Sequence, residues 1–206
     1  AWSAYRYVRT LLAGGFSGFL RTVEDHAILS LSPERFLRIH QGTVTSQPIK
    51  GTAPRHSDPD RDAALAQALL NSEKDRAENV MITDLLRNDL GQFCETGSVT
   101  VTELCGLHSF NNVHHLISTV EGKLVPGVSA GQMLLATSPG GSITGAPKKR
   151  AVEIIAELES TPRGAYCGSL FILGGDDWLQ SSIAIRTLEV TGSTLHCWGG
   201  GGITAS

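Results

Sequence analysis

The sequence has no C-x-x-C pair, no basic excess, no apolar run long enough to cross a bilayer, and no signal-peptide pattern at its start. Each absence removes a class of function. Cys94, Cys105, Cys167 and Cys197 lie far apart in 206 residues, which fits reduced thiols and a cytoplasmic setting rather than a disulfide framework. A net charge of −3 leaves no electrostatic footprint for nucleic acid, and short apolar runs leave no candidate membrane span. Internal repeats and low-complexity tracts are also missing. What remains is ordinary globular material, 41% hydrophobic and 18% charged, enough for one large core or two small ones. The 23 glycines cluster in a few places, as tight loops require. The chain opens inside a possible helix, "AWSAYRYVRTLL", and stops in a glycine loop, "GGGGITAS". A single domain over residues 1–206, truncated at both ends, is therefore expected.

Local patterns place the elements. "AILSL" reads as a strand, and "RFLRIH-QG-TVTSQPI" as a hairpin turning at Gln41-Gly42. A tight turn puts Glu34 opposite Ile49, one residue from Lys50. Either this is a plain cross-strand ion pair, or an acid and a base share one rigid support. Residues 59–71 read as a short helix. A second follows in "SEKDRAENVMITDLLRNDLG", with Ser72 and Asp75 resembling a capping box and Gly91 a natural stop. On a helical wheel Ala77, Met81, Ile82, Leu85 and Leu86 form an apolar face with Glu78 near its centre and Asp89 close by. A buried carboxylate needs a cation, so Glu78 is either half of a structural ion pair or a metal ligand. Asp84 and Arg87 read as an outer-face pair.

"SVTVTEL" and "VHHLISTVEGKL" read as strands, which sends His114 and His115 to opposite faces. "SAGQMLLAT" is a short helix capped by Ser129. In "SPGGSITGAPKKRAVEII" a glycine loop precedes a helix with Pro147 in its first turn. That loop is either an anion site or a plain junction; it is not a Walker A loop, because a proline stands where the lysine belongs. The last third reads as a meander, "AYCGSLFIL", "WLQSSIAIRTLEV", "TLHCWGGGG". Arg186 lies inside its middle strand, either snorkelling or gripping a carboxylate, and the glycines at 199–202 offer backbone N–H groups. Antiparallel strands with helices set apart from them make the fold class α+β.

The motifs "SLSPERF", "PIKGT", "KDRAENVMITDLLRNDLG", "VHHLIST", "PGGSITGAPKKRAVEII", "AYCGS", "SIAIRT" and "GGGGI", in this order, resemble the chorismate-utilising enzymes from about residue 16 onward. "PIKGT", "RAEN" and "VHHL" resemble the aminodeoxychorismate synthase subfamily (component I); anthranilate synthases resemble "PIAGT", with alanine in place of Lys50. The resemblance implies the antiparallel chorismate-binding fold with helices outside, here incomplete. It implies amination of chorismate at C4 by ammonia, with Lys50 as nucleophile, Glu34 as acid and His115 near the ring. It implies Mg2+ on Glu78, and substrate contacts from Gly51, Thr52, Tyr166, Arg186, Gly200, Gly201 and Gly202. The amine must be neutral to attack. A glutamine amidotransferase subunit or domain would supply ammonia, and this chain shows no glutaminase motif. Three departures stand out. The family's second metal glutamate and a further lysine fall beyond the last residue, its N-terminal half is missing, and Ala13-Gly14-Gly15 replaces a proline-containing turn. If the protein ends at Ser206, weak or no catalysis is the corresponding expectation. Two alternatives stay open: anthranilate synthase component I, and a non-catalytic chorismate-binding fragment.

Overall fold

A computed structural model describes residues 1–12 and 15–203; the Ala13-Gly14 step of the departing turn lies outside the described residues. The chain runs α1 (Trp2–Leu11), β1 (Phe16–Val23), β2 (His26–Ser32), β3 (Arg35–His40), β4 (Thr43–Gln47), β5 (Ile49–Pro54), α2 (Pro59–Leu70) and α3 (Glu73–Gly91). It continues through β6 (Thr100–Ser109), β7 (Val113–Lys123), α4 (Ala130–Thr137), a 3-10 turn (Gly141–Ile143) and α5 (Lys148–Leu158). It closes with β8 (Ser169–Leu173), β9 (Leu179–Ile183), β10 (Thr187–Thr191) and β11 (Thr194–Cys197). Two sheets form, one ordered β1-β2-β10-β11, the other β5-β7-β4-β3-β9-β8 with β6 also on β7. Every ladder between these strands is antiparallel, and the expected α+β class holds.

Helix ends follow their local chemistry. The Asp58 carboxylate accepts from the Asp60 and Arg61 N–H groups at the start of α2, and Ser72 caps α3 through the Asp75 N–H. Ser129 and Gln132 form a reciprocal capping box on α4. Gly91 is the last helical residue of α3 rather than the stop beyond it, and Pro147 is the cap residue of α5 rather than its first turn.

The core lies between the larger sheet and α3 and α4, with Leu37, Ile39, Val44, Ile82, Leu90, Val120, Met133, Leu179 and Ile183 essentially inaccessible. Burial stabilises each such side chain by about 1.5–3 kcal/mol. A second cluster holds α1 on the smaller sheet through Tyr5, Leu29 and Leu31. Among the described residues, no helix is long and apolar enough to cross a membrane.

The strand reading fails in two places. Pro48 cannot donate to a ladder, so the expected long strand through Ile49 splits into β4 and β5, both pairing with β7. The expected middle strand of the C-terminal meander also breaks. β9 belongs to the larger sheet and β10 to the smaller, with Arg186 between them in the left-handed region at φ 49°. The β2–β3 connection crosses between the sheets at the same level and carries Glu34. Two backbone bonds tie the crossings together, Leu31 N–H to Arg186 C=O at 3.1 Å and Ile183 N–H to Glu34 C=O at 3.2 Å.

Candidate active site

The hairpin register sets the first two residues. β3 and β4 pair as expected near the turn, Ile39 with Val44, but shift by one residue further on, so Arg35 faces Gln47. Glu34 is therefore not squarely opposite Ile49. Its carboxyl nevertheless lies near enough to Lys50, the Ile49 amide and the Ser142 hydroxyl of the 3-10 turn to feel all three. Glu34 is 5% exposed. Burial pushes its pKa up to about 7, against the lowering influence of Ser142, Lys50 and the Ile49 amide. A carboxyl so placed is about half protonated near pH 7, so the acid form is available to donate its proton.

Lys50 and Gly51 sit at a β-bulge. Ile49 pairs with Ile117 and Thr52 with His115, so three steps along β5 match two along β7. The extra residue lets Ile49 and Thr52 share the face of Ile117 and His115. Gly51 takes φ +93°, and a Cβ there would stand 3.0 Å from the Asp75 Cβ and 3.2 Å from Leu69 and Leu116. Both conformation and space demand glycine.

The two histidines of "VHHL" do separate. His114 faces the helices, with Nδ1 2.8 Å from the Ser109 hydroxyl and Nε2 3.1 Å from Asp62. Arg55, gripping Asp62 through two nitrogens, holds that carboxyl well below the usual range. This is a packed structural network. His115 lies on the other face, 3% exposed, its Nδ1 2.9 Å from the Thr52 hydroxyl. Burial, and then the Arg186 charge, lower its pKa against a raising bond to the Gly51 backbone, so the imidazole is neutral at physiological pH. The Arg186 charge thus acts on His115 although Arg186 is exposed and belongs to no strand.

Tyr166 and the terminal glycines form a neighbouring group. The Tyr166 ring stacks on Trp198 with centroids 6.0 Å apart. A Cβ on Gly200 would fall 2.4 Å from the Tyr166 hydroxyl, whereas Gly201 and Gly202 are open. Backbone bonds from Cys167 N–H to Ala184 C=O and from Ala184 N–H to Gly168 C=O fix this loop beside the segment leading to Arg186. The loop at Gly140-Gly141 has a packing reason for its glycines: Cβ atoms there would lie 2.6 Å from Ile183 and 2.5 Å from Leu85.

Glu78 departs from the wheel. The buried face of α3 is Asn79, Ile82, Thr83, Leu86, Asp89 and Leu90, while Ala77 and Met81 are exposed and Glu78 is half-buried at the rim. The wheel weighs apolarity alone, whereas the irregular sheet below offers partners to Asn79, and Thr83 is buried with its hydroxyl on the Asn79 carbonyl. The buried carboxylate that takes a cation is Asp89, 2.5 Å from the Lys148 Nζ. Among the described residues the Glu78 carboxylate makes no hydrogen bond or ion pair, and no cluster of three or more metal-ligating side chains occurs. The expected Asp84–Arg87 pair forms at the surface at 2.8 Å. Sequence reasoning quoted Ser142 and Asn79 inside motifs without singling them out.

This arrangement combines a proton-bearing carboxyl, an amine on a bulge, a neutral imidazole and an arginine, assembled where two sheets meet. Comparison with known proteins leads to the same place. The profile of the family described as "chorismate binding enzyme" matches residues 1–206. Aminodeoxychorismate synthase component 1 of Klebsiella aerogenes is 51% identical over 204 residues, 99% of this chain and 45% of that protein. Anthranilate synthase component 1 of Streptomyces coelicolor is 41% identical over 201 residues, 98% of this chain and 39% of that protein. The crystal structure of anthranilate synthase component I from Streptococcus pneumoniae TIGR4 superposes with a TM-score of 0.82 at 38% identity, covering 91% of this chain and 41% of that one. The chain spans less than half the length of these relatives. With a profile matched from end to end and the same fold underneath, the chain belongs to the chorismate-binding enzyme family.

Proposed function

We propose that the chain carries the chorismate-aminating chemistry of an aminodeoxychorismate synthase, replacing the C4 hydroxyl of chorismate by an amino group. The observation behind this reading is Lys50, held on a bulge beside a buried Glu34 carboxyl whose pKa is pushed up to about 7. The neutral Lys50 amine attacks C2, both ring double bonds shift in concert toward C4, and the C4–O bond breaks as Glu34 gives its proton to the departing hydroxyl, releasing water. Ammonia then attacks C4, both double bonds shift back, and the C2–N bond breaks with its electron pair returning to Lys50. The new C4 ammonium returns one proton to Glu34, so the site is reset and the net change is ammonia in, water out.

The Arg186 guanidinium suits the pyruvyl carboxylate through a two-pronged grip. Thr52 orients His115 against the ring, and Tyr166 with Gly200, Gly201 and Gly202 borders the carboxylate end. Magnesium commonly takes one or two protein carboxylates and keeps several waters, and a half-buried, unengaged Glu78 fits that demand as one ligand. Bound there, the ion would neutralise the ring carboxylate. The name component 1 of the relatives supports a second component, and we assign it the role of a glutamine amidotransferase supplying ammonia for para-aminobenzoate and folate synthesis in the cytoplasm.

The test is direct. The chain is incubated with chorismate, ammonium and magnesium at mildly alkaline pH, and the product is identified by chromatography and mass spectrometry. Aminodeoxychorismate, retaining the pyruvyl group, is expected, and Lys50→Ala abolishes it. Anthranilate in its place, or full activity in Lys50→Ala, overturns the reading.

A further inference from the structure

Asn79 is wholly buried, and the chemistry above makes no use of it. Its neighbours explain why an amide sits there. At the Lys50-Gly51 bulge the β5–β7 ladder is interrupted, which deprives carbonyls on both strands of their usual donors. The Asn79 Nδ2 points at that gap, 3.1 Å from the Leu116 carbonyl on β7 and 3.4 Å from the Lys50 carbonyl on β5. The other end of the same amide is equally occupied. Its Oδ1 accepts from the Ser118 hydroxyl, with the Thr83 hydroxyl, which donates to the Asn79 backbone carbonyl at 2.7 Å, lying 3.3 Å away. Ser118 Oγ in turn accepts the Cys105 N–H at 2.9 Å, where β6 carries its own irregularity and Cys105 has φ 52°. The carboxamide therefore uses both its donors and its oxygen, linking α3, β5, β7 and, through Ser118, β6.

We propose that Asn79 is a positioning residue for Lys50. It substitutes for the missing ladder bonds at the bulge and so fixes the direction in which the lysine leaves the strand. The inference rests on the reading of Lys50 as nucleophile. Apolar residues of similar size could fill the volume but could not donate to two carbonyls. An acid could not supply two donors.

Two measurements test it. The first is backbone hydrogen exchange, followed by mass spectrometry, on Asn79→Ala and the parent chain. Exchange in segment 48–54 is expected to quicken about tenfold or more, with the β3–β9 and β2–β10 ladders unchanged. Uniform quickening across both sheets, or no change at 48–54, overturns the proposal. The second is steady-state kinetics with chorismate and ammonium. The turnover number is expected to fall roughly a hundredfold, the scale of an ångström's misplacement of a reacting group, with KM within about twofold. Local exchange without a change in turnover also overturns the positioning role. If Lys50→Ala itself retains activity, the nucleophile reading fails, whereas the exchange result still decides whether Asn79 holds the bulge. Should Asn79→Ala not fold, Ser118→Ala frees the far end of the amide and is expected to quicken exchange at 48–54 by a smaller factor; unchanged exchange there overturns the proposal.

Discussion

Replacing Glu34 by glutamine gives a measurable test of how the site is poised. The carboxyl titrates at about 7 in the folded chain against an ordinary 4.5, chiefly because burial disfavours its charged form. Below 4.5 both folded and unfolded chains hold the proton and the group contributes no pH dependence. Between 4.5 and 7 the unfolded chain releases the proton while the folded chain keeps it, so stability falls as pH rises. Above 7 the loss levels off. At about 1.4 kcal/mol per pH unit, the full difference amounts to roughly 3 kcal/mol. Glu34→Gln keeps the shape and removes the titration. Urea unfolding of both chains, followed by tryptophan fluorescence at pH 4.5, 6 and 8, reads the difference directly. Other titrating groups, His115 among them, cancel in the comparison. The variant is expected to gain about 3 kcal/mol relative to the parent between pH 4.5 and pH 8. A difference that is flat with pH, or one that grows toward acid, refutes the assignment of a proton to Glu34. Alongside this, amination is expected to drop by about 10²–10⁴-fold, because glutamine cannot give a proton to the leaving hydroxyl.

Other substitutions probe the remaining parts. Gly51→Ala meets both a positive φ and contacts at 3.0–3.2 Å, so a loss of about 2 kcal/mol by urea unfolding is expected, together with reduced amination. Lys148→Ala leaves the Asp89 carboxylate, now 2.5 Å from the ammonium, without its cation. The expected cost is roughly 2–4 kcal/mol, and a double variant with Asp89→Asn recovers much of it. Glu78→Gln is expected to raise the magnesium concentration giving half-maximal activity by about tenfold or more, with urea stability nearly unchanged; an unaltered magnesium response removes Glu78 from the metal site.

The sequence makes much of this legible where side-chain period and turn chemistry agree. Gln41-Gly42 fixes one hairpin, and Ser72 and Ser129 mark helix starts that the fold keeps. The misreadings share one cause: they fall where backbone regularity stops. Pro48 and Arg186 end strands that period alone would continue, and the register slip beyond Arg38 moves Glu34 off its expected partner. The wheel of α3 favoured Ala77 and Met81 because nothing local reveals that the sheet below is bulged and receives Asn79 and Thr83. The adjacency of Lys50 and Glu34 came from hairpin logic and survives the slip, since two long side chains bridge a one-residue error. Ser142 was hidden because a 108-residue separation from Glu34 leaves no local trace.

Glu34 and Arg186 stand on the two crossings by which the chain passes from one sheet to the other. Their spacing is therefore a joint between two bodies, set by how each sheet is packed on its own side. α1 never approaches Lys50 in sequence, yet Tyr5, Leu29 and Leu31 govern the body to which Arg186 is attached. Loosening that cluster would tilt the guanidinium while leaving amine and bulge in place. Under the proposed chemistry such a change weakens grip on the substrate more than it slows turnover. Distance from the reacting atoms is thus a poor guide to harm in this chain, and the hinge line between the sheets is a better one.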